Sequence, residues 1–462
     1  MKHAPSIPRT TIGILGAALT TVSGVLILGL AAAAMQGFVG SPYIGIVAFL
    51  VLPGFFILGL LLIPFGGWLA RRRARLAAER GEEIPHLPII DFNDDLTRRR
   101  VLVFMVLTAL NVLILGVAGY KGLQVMESPA FCGSCHSVMD PEFTAWRRSP
   151  HARVACAGCH IGEGASWFVK SKLSGAWQLV SVSFDLFQRP IPVPIANLRP
   201  ARETCEECHW PSKFTGDRLR VTTSFSDDEA STEKKSVVLL HVGGGQTAAG
   251  PIKGIHAHVA AGVHIRYLAD PERKEVNTVE ATWADGKTNV FRTKSSPATL
   301  PAREAWRLMD CVDCHNRPTH LFREPGREID QAILAHRIDA TLPWIKREGL
   351  KAILVAYPSH EAARAGIEKQ ITDFYRQLDA TAFPGRESSA KAAAAALGDI
   401  YCWNVWPSMK ITWGTYPIFL GHDQAPGCFR CHDGEHVDGA GKAISQDCSL
   451  CHSLLAVDEK DP

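Results

Sequence analysis

Three uncharged apolar runs, six repeats of Cys-x-x-Cys-His and a stretch of short alternating segments between the third and fourth repeats predict one architecture. It is a membrane α-helical anchor of three transmembrane helices, followed by an outer domain of sparse helices, long loops and a small β insertion. At 462 residues the chain has room for about three domains, so membrane and soluble parts can coexist. A net charge of +3 and a pI near 8.2 come from balanced acids and bases, which gives no argument for a nucleic-acid partner, and none is expected.

The first run, Ile12 to Met35, carries no charge over more than a bilayer's worth of residues. The second, Tyr43 to Leu62, follows a short break at Gln36 to Pro42, and the third covers Val101 to Tyr120. A cleaved signal peptide would be shorter than the first run and would not lead straight into another span, so a retained, multi-pass anchor is expected. Between the second and third runs lie Arg71, Arg72, Arg73, Arg75, Arg80, Arg98, Arg99 and Arg100. This excess marks the loop 71–100 as cytoplasmic, and three crossings then place everything after Lys121 outside, in the periplasm of a bacterial inner membrane. None of the spans contains a histidine, so no axial ligand for an intramembrane haem is available there. Pro53 and Gly54 are compatible with a kink in the second span.

Twelve of the thirteen cysteines fall in Cys132/Cys135/His136, Cys156/Cys159/His160, Cys205/Cys208/His209, Cys311/Cys314/His315, Cys428/Cys431/His432 and Cys448/Cys451/His452. Two thiols at this spacing form thioethers with the two vinyl groups of one porphyrin, and the adjacent histidine lies under the iron. Zinc ribbons also use Cys-x-x-Cys, but they join two pairs in one site and need no histidine after every second cysteine. Six haem c groups are therefore expected, in a periplasmic multihaem cytochrome c domain. Cys402 has no partner and reads as a small buried residue.

Six low-spin haems need six further ligands, and ten histidines beyond the third span lie outside the motifs. His151 precedes the second motif, His320 follows the fourth by five residues, His422 precedes the fifth, and His436 follows His432 by four. His256 and His258 alternate, where a strand would aim both at one face, and His258 is preferred. His241, His264, His336 and His360 lack such a setting and read as surface or core residues. For the first site Met139, three residues after His136, is the candidate, since methionine ligation raises a haem's potential.

Motif spacing divides the chain into an anchor (1–126), a front cluster of three haems (127–215), a β-rich insertion supplying a distal histidine (216–300) and a rear cluster of three (301–462). Within the insertion, Val276 to Thr282 and Thr288 to Arg292 flank Ala-Asp-Gly-Lys and predict a hairpin. Helical periodicity runs from Ile329 to Leu378 with breaks at Pro343 and Pro358, and alanine-rich Ser388 to Leu397 is also expected to be helical.

A membrane helix running into CGSCHSVM, then Trp-Arg-Arg-Ser-Pro-His and CAGCHIG, resembles the NapC/NirT family of quinol-oxidising cytochromes from Val101 to about His209. The remainder, with CHNRPTH and GCFRCHDGEH, is similar to longer multihaem relatives such as inner-membrane cytochromes of metal-reducing bacteria. The resemblance implies oxidation of menaquinol or ubiquinol near the first haem and transfer to a periplasmic cytochrome or reductase. The family's quinol pocket uses a lysine and an acid shortly after the second motif, which corresponds here to Lys170, Lys172 and Asp185. Members commonly have one membrane helix and four haems, so two spans and the rear cluster lie beyond the analogy. Two other functions compete with a quinol dehydrogenase in contact with the membrane quinol pool: a terminal multihaem reductase with an open iron site, and an electron-transfer subunit of a larger respiratory complex.

Overall fold

A computed structural model describes residues 11–35, 52–79, 92–134, 136–161, 165–195, 200–243, 254–422 and 425–462. It divides into two compact units, Met1–Cys135 and His136–Pro462.

The first unit contains α1 (Thr11–Met35), α2 (Leu52–Glu79) and α3 (Asp95–Met126), each long and apolar enough to cross a membrane. Part of the second expected span, Tyr43 to Val51, lies outside the described residues, but α2 runs on past Leu62 through Pro64 to Glu79, so Arg71 and Arg72 are helical. Small residues let α1 and α2 approach backbone to backbone. A Cβ on Gly59 would stand 2.7 Å from the Thr20 nitrogen and 2.8 Å from the Gly16 carbonyl oxygen. Close approach of this kind is how membrane helices associate when lipid removes the hydrophobic driving force. Thr20 is buried there, its hydroxyl donating to the Gly16 carbonyl at 2.9 Å. Leu115 and Ala118 of α3 pack on Ile27, Leu52 and Phe56.

The second unit begins with α4 (His136–Arg147) and α5 (Ala165–Ser183). A three-stranded antiparallel sheet follows, ordered β1 (Asp217–Phe225), β2 (Glu233–His241), β7 (His452–Glu459). A second sheet is built from β3 (His264–Ala269), β4 (Val276–Thr282), β5 (Thr288–Arg292) and β6 (Arg307–Leu308), in the order β5-β4-β3-β6. The expected hairpin is β4–β5, with Thr282 opposite Thr288 and Gly286 at φ +83° in the turn. Only glycine adopts that angle without strain.

Residues 325–405 form α6 (Pro325–Leu334), α7 (Ile345–Leu354), α8 (His360–Leu378) and α9 (Phe383–Asn404). The breaks fall at Pro343 and Pro358, because proline cannot supply the helical N–H and restricts the residue before it. Ser359 then caps α8 by accepting from the Ala362 amide. Ile367, Ile371 and Tyr375 recur at helical spacing on α8 and meet Ala390, Ala393, Ala394 and Leu397 of α9 in one buried core. Here the rear part has an ordinary apolar core, denser in helix than the sparse pattern expected of porphyrin-centred folding.

Candidate haem sites

The motifs lie on short helical turns whose ends are fixed locally. Cys156–His160, Ala201–Cys205 and Cys311–Cys314 are single α-turns, and Gly427–Arg430 and Cys448–Leu450 are 3-10 turns. At the fourth motif Asp310 and Asp313 form a reciprocal capping box. Asp313, almost fully buried, also accepts from the Tyr267 hydroxyl at 2.6 Å and Arg307 Nε at 2.7 Å. Among the described residues no two motif cysteines are joined in a disulfide.

Cys159 and Cys208 are the second cysteines of their motifs. Cys159 shares the Cys156–His160 turn with its partner and is half-buried, yet its sulfur also neighbours Cys205 of the third motif. Cys208 lies past the end of its turn and is exposed, whereas Cys205 hydrogen-bonds Cys311 of the fourth motif. That hydrogen bond, burial and the nearby Cys311 and Cys159 together push the Cys205 thiol up. The reason is geometric. The turn closes when the Glu206 amide donates to the Arg202 carbonyl at 3.0 Å, and the chain then bends so that the Cys208 and His209 amides both donate to the Cys205 carbonyl, at 3.2 and 2.8 Å. Cys205 ends the helical turn and Cys208 follows the bend, so the two leave on different headings. Cys159 of the second motif and Cys311 of the fourth thus lie near Cys205 of the third.

Every described motif histidine faces a second imidazole. Ring centres lie 6.1 Å apart for His160 and His320, 6.0 Å for His209 and His151, and 6.4 Å for His315 and His256. They lie 5.9 Å apart for His432 and His258, and 6.0 Å for His452 and His422. Metal–imidazole bonds are about 2.0–2.1 Å long, so two imidazoles on opposite sides of one ion have ring centres roughly 6 Å apart. The spacing fits a bis-histidine iron at each of these five places.

The other ring nitrogen is held as a ligand histidine requires. Nδ1 lies 3.2 Å from the Pro318 carbonyl oxygen in His151, 3.1 Å from that of Val242 in His256, and 2.9 Å from that of Ile255 in His258. In His320 it is 3.0 Å from the Glu142 carbonyl, and in His432 2.6 Å from that of Ser445. Donation from Nδ1 to a carbonyl leaves the Nε2 lone pair for a metal. Burial holds the His258 and His320 imidazoles below the usual histidine range, although the Ile255 carbonyl and Glu142 respectively pull the other way. Both thus favour the neutral, ligating form.

His436 does not join a pair. It is fully buried, with Nδ1 2.9 Å from Asp433 Oδ1 and Nε2 3.1 Å from the Val276 carbonyl, so both nitrogens are engaged by protein. His256, passed over for His258 in the sequence, stands beside His315, in company with His258 rather than as its alternative. The pair sits on a 3-10 turn, Ile255–Val259, not on a strand. Gly254, at φ +93°, sets the chain into that turn, and residues two apart on it diverge, so each ring faces a different motif histidine. Met139 is half-buried on α4, while the side chain of His136 lies outside the described residues, as does Cys135.

The front and rear sequences interlock around these rings. Arg317, 7% exposed, donates through Nη2 to both Glu142 oxygens at 2.9 Å and through Nε to the His320 carbonyl. Arg148 likewise grips the buried Glu328 at 2.7 and 2.8 Å, and Ser149 and Thr319 hydroxyls meet at 3.0 Å. A cavity of about 250 Å³ is lined by His151 and His315 together, joining the third and fourth sites. Glu142 and Arg317 carry no motif signal, and only the fold identifies them as supports of His320.

The residues expected to share one quinol pocket are spread along α5. Lys170 is exposed, its ammonium 4.7 Å from the Trp167 ring centre. Asp185 lies beyond the helix end at φ +55°, ion-paired to Arg189 at 2.5 Å, which holds its carboxyl below the usual range. By Ser183 the axis has already advanced about 16–20 Å from the two lysines, too far for one head group to touch a lysine and Asp185 together.

Residues 96–190 match the N-terminal region of the NapC/NirT cytochrome c family. The chain is 41% identical to the cytochrome c-type protein ImcH of Geobacter sulfurreducens over 96% of its own length and 87% of that protein. It is 28% identical to the cytochrome c-type protein NrfH of Wolinella succinogenes, over 22% of this chain and 59% of the relative. The cytochrome c-type protein TorY of Haemophilus influenzae is also 28% identical, over 44% and 56%. No solved structure matches. Thiol pairs each followed by a histidine, a second imidazole at iron-bridging distance and near-full-length similarity to a c-type relative agree, and the chain belongs to the NapC/NirT family of membrane-anchored, haem c-carrying cytochromes.

Proposed function

We propose that this chain is a hexahaem quinol dehydrogenase of a bacterial inner membrane, drawing electrons from the quinol pool and delivering them to a periplasmic cytochrome or reductase. The observation that carries this reading is the set of five histidine pairs. A second imidazole at each leaves none of the five with the open position that a substrate-reducing centre needs. Haem c, when bound, supplies one-electron chemistry at its iron.

The chain's own residues do the rest. The paired cysteines, from Cys132 and Cys135 to Cys448 and Cys451, anchor the porphyrins. Cys159 serves with Cys156 at the second site and Cys208 with Cys205 at the third, the spacing within each motif outweighing the contacts between motifs. His136, His160, His209, His315, His432 and His452 are the proximal ligands. His320, His151, His256, His258 and His422 face the second to sixth sites, and Met139 is assigned to the first. The front sites fall in 127–215 and the rear ones in 301–462, with both members of the His256–His258 turn lent by the insertion between them. The arginine-rich segment 71–100 faces the cytoplasm and the haem domain the periplasm.

A quinol must lose two protons as well as two electrons, so its hydroxyl needs a polar partner, assigned here to Lys170 or Lys172. Menaquinol and ubiquinol both meet that requirement. The test is anaerobic reduction of the detergent-solubilised protein by a quinol analogue, with haem content measured by pyridine haemochrome. Six haems per chain and quinol-driven reduction are expected. In Lys170→Met/Lys172→Met the quinol-driven rate should fall at least fivefold, with dithionite reduction intact. A rate within twofold would mean less than about 0.5 kcal/mol of transition-state stabilisation and would remove the lysines from the site. Wild-type protein inert to quinol would instead favour a subunit fed by a partner protein.

A further inference from the structure

Helix α5 presents an apolar stripe to the outside of the second unit. Leu173, Trp177, Val180 and Phe184 recur at i, i+4, i+7 and i+11 and are 67%, 62%, 43% and 72% exposed, with Leu186 continuing the patch. Isolated exposed apolar residues need no explanation, but a contiguous helical stripe of this size marks an interaction surface. The opposite side of the helix is already docked: Val182, half a turn round from Leu173, packs on the buried cluster of Val138, Ala145 and Phe322. Rotating the stripe inwards is therefore not open to the fold.

Two features select the occupant. The helix starts 39 residues after α3 ends at Met126, so the domain that carries it is covalently held beside a bilayer. The stripe also has the composition of a membrane interface: an outward-facing tryptophan and phenylalanine among aliphatic residues, with Lys170 stacked over Trp167 at its start and Ser174 and Gln178 along its flank. We propose that α5 lies in the outer leaflet of the membrane, with Leu173, Trp177, Val180 and Phe184 inserted among the lipid chains and Lys170 at head-group level. This placement requires the anchor and is independent of which donor reduces the protein.

Full-length protein in nanodiscs of phosphatidylcholine and phosphatidylglycerol, doped with a phospholipid bearing a diazirine on its acyl chain, tests it. After irradiation, lipid adducts are expected on peptides covering 165–186 as well as on the three anchor helices. In Trp177→Lys/Val180→Lys the adducts on 165–186 should fall at least fivefold, with anchor adducts and haem content unchanged. Wild-type adducts confined to the anchor would overturn the proposal, whether or not the double variant folds. A water-soluble diazirine separates the alternatives. Strong labelling of Leu173 and Trp177 would mean a solvent-facing stripe, and protection from both reagents a face covered by protein, such as a second copy. Either outcome also overturns it.

Discussion

At the scale of single residues, hydrogen bonding separates histidines that stand beside a motif imidazole from one that does not better than sequence position does. His151, His256, His258 and His320 each set Nδ1 within hydrogen-bond reach of a carbonyl and stand beside a motif imidazole, whereas His436 spends both nitrogens on Asp433 and Val276. The expected consequence is a split between two substitutions. His256→Ala should convert one low-spin haem to high-spin, seen by electron paramagnetic resonance, with six haems still attached. His436→Ala should leave the spin states alone and lower stability by about 1–3 kcal/mol, the cost of stranding buried partners, measurable by denaturant unfolding. A spin-state change in the second variant and none in the first would reverse the assignment. The motifs themselves were fully legible, because their chemistry is local. The nearness of Cys159 and Cys311 to Cys205 was not, since it depends on where other motifs fall in space. His151, His320 and His422 drew notice in the sequence because each lies within a few residues of a motif, and in the fold each stands beside a motif imidazole. His436 shares that proximity, yet Val276, 160 positions away in sequence, decides its role.

At the scale of elements, the β4–β5 hairpin was readable to the residue because alternation and an Asp-Gly turn specify it jointly. The turn at His256 and His258 was not, since Gly-Ile-His-Ala-His-Val alternates like a strand and only the backbone at Gly254 shows otherwise. The tightness of the α1–α2 contact was equally hidden, as a hydropathy run does not say which glycine meets which backbone. Gly59→Leu should therefore push α1 and α2 apart, costing about 1–3 kcal/mol by overpacking, whereas Gly67→Leu, where a Cβ meets nothing within 4 Å, should cost little. Thermal aggregation of the two variants in the same detergent checks this. Equal midpoints would mean that the helices do not meet at Gly59.

At the scale of the molecule, the membrane anchor, the cytochrome domain and the helical stretch after the fourth motif could all be read from hydropathy and spacing. The compact core of α6 to α9 was less visible, because periodicity locates helices without saying that four of them pack on one another. Least visible was the stitching of front to rear through Arg317 with Glu142 and Arg148 with Glu328, contacts across more than 170 positions that leave no local trace.

That stitching bears on how the protein is made. Synthesis delivers a chain from its amino terminus onwards, and at four of the five pairs the facing histidine is upstream of the motif it stands beside: His151 before His209, His256 before His315, His258 before His432 and His422 before His452. The second site is the exception, because His320 emerges 160 residues after His160. A haem held at this site while the chain is still incomplete would lack its histidine partner and could bind carbon monoxide, while the later sites would be completed as they appear. A chain ending at residue 300 should accordingly carry a carbon monoxide-binding haem at its second site, and one ending at residue 325 should lose that signal. Absorption spectra of the reduced proteins with and without carbon monoxide decide the matter, and equal binding in both truncations would refute the order of completion.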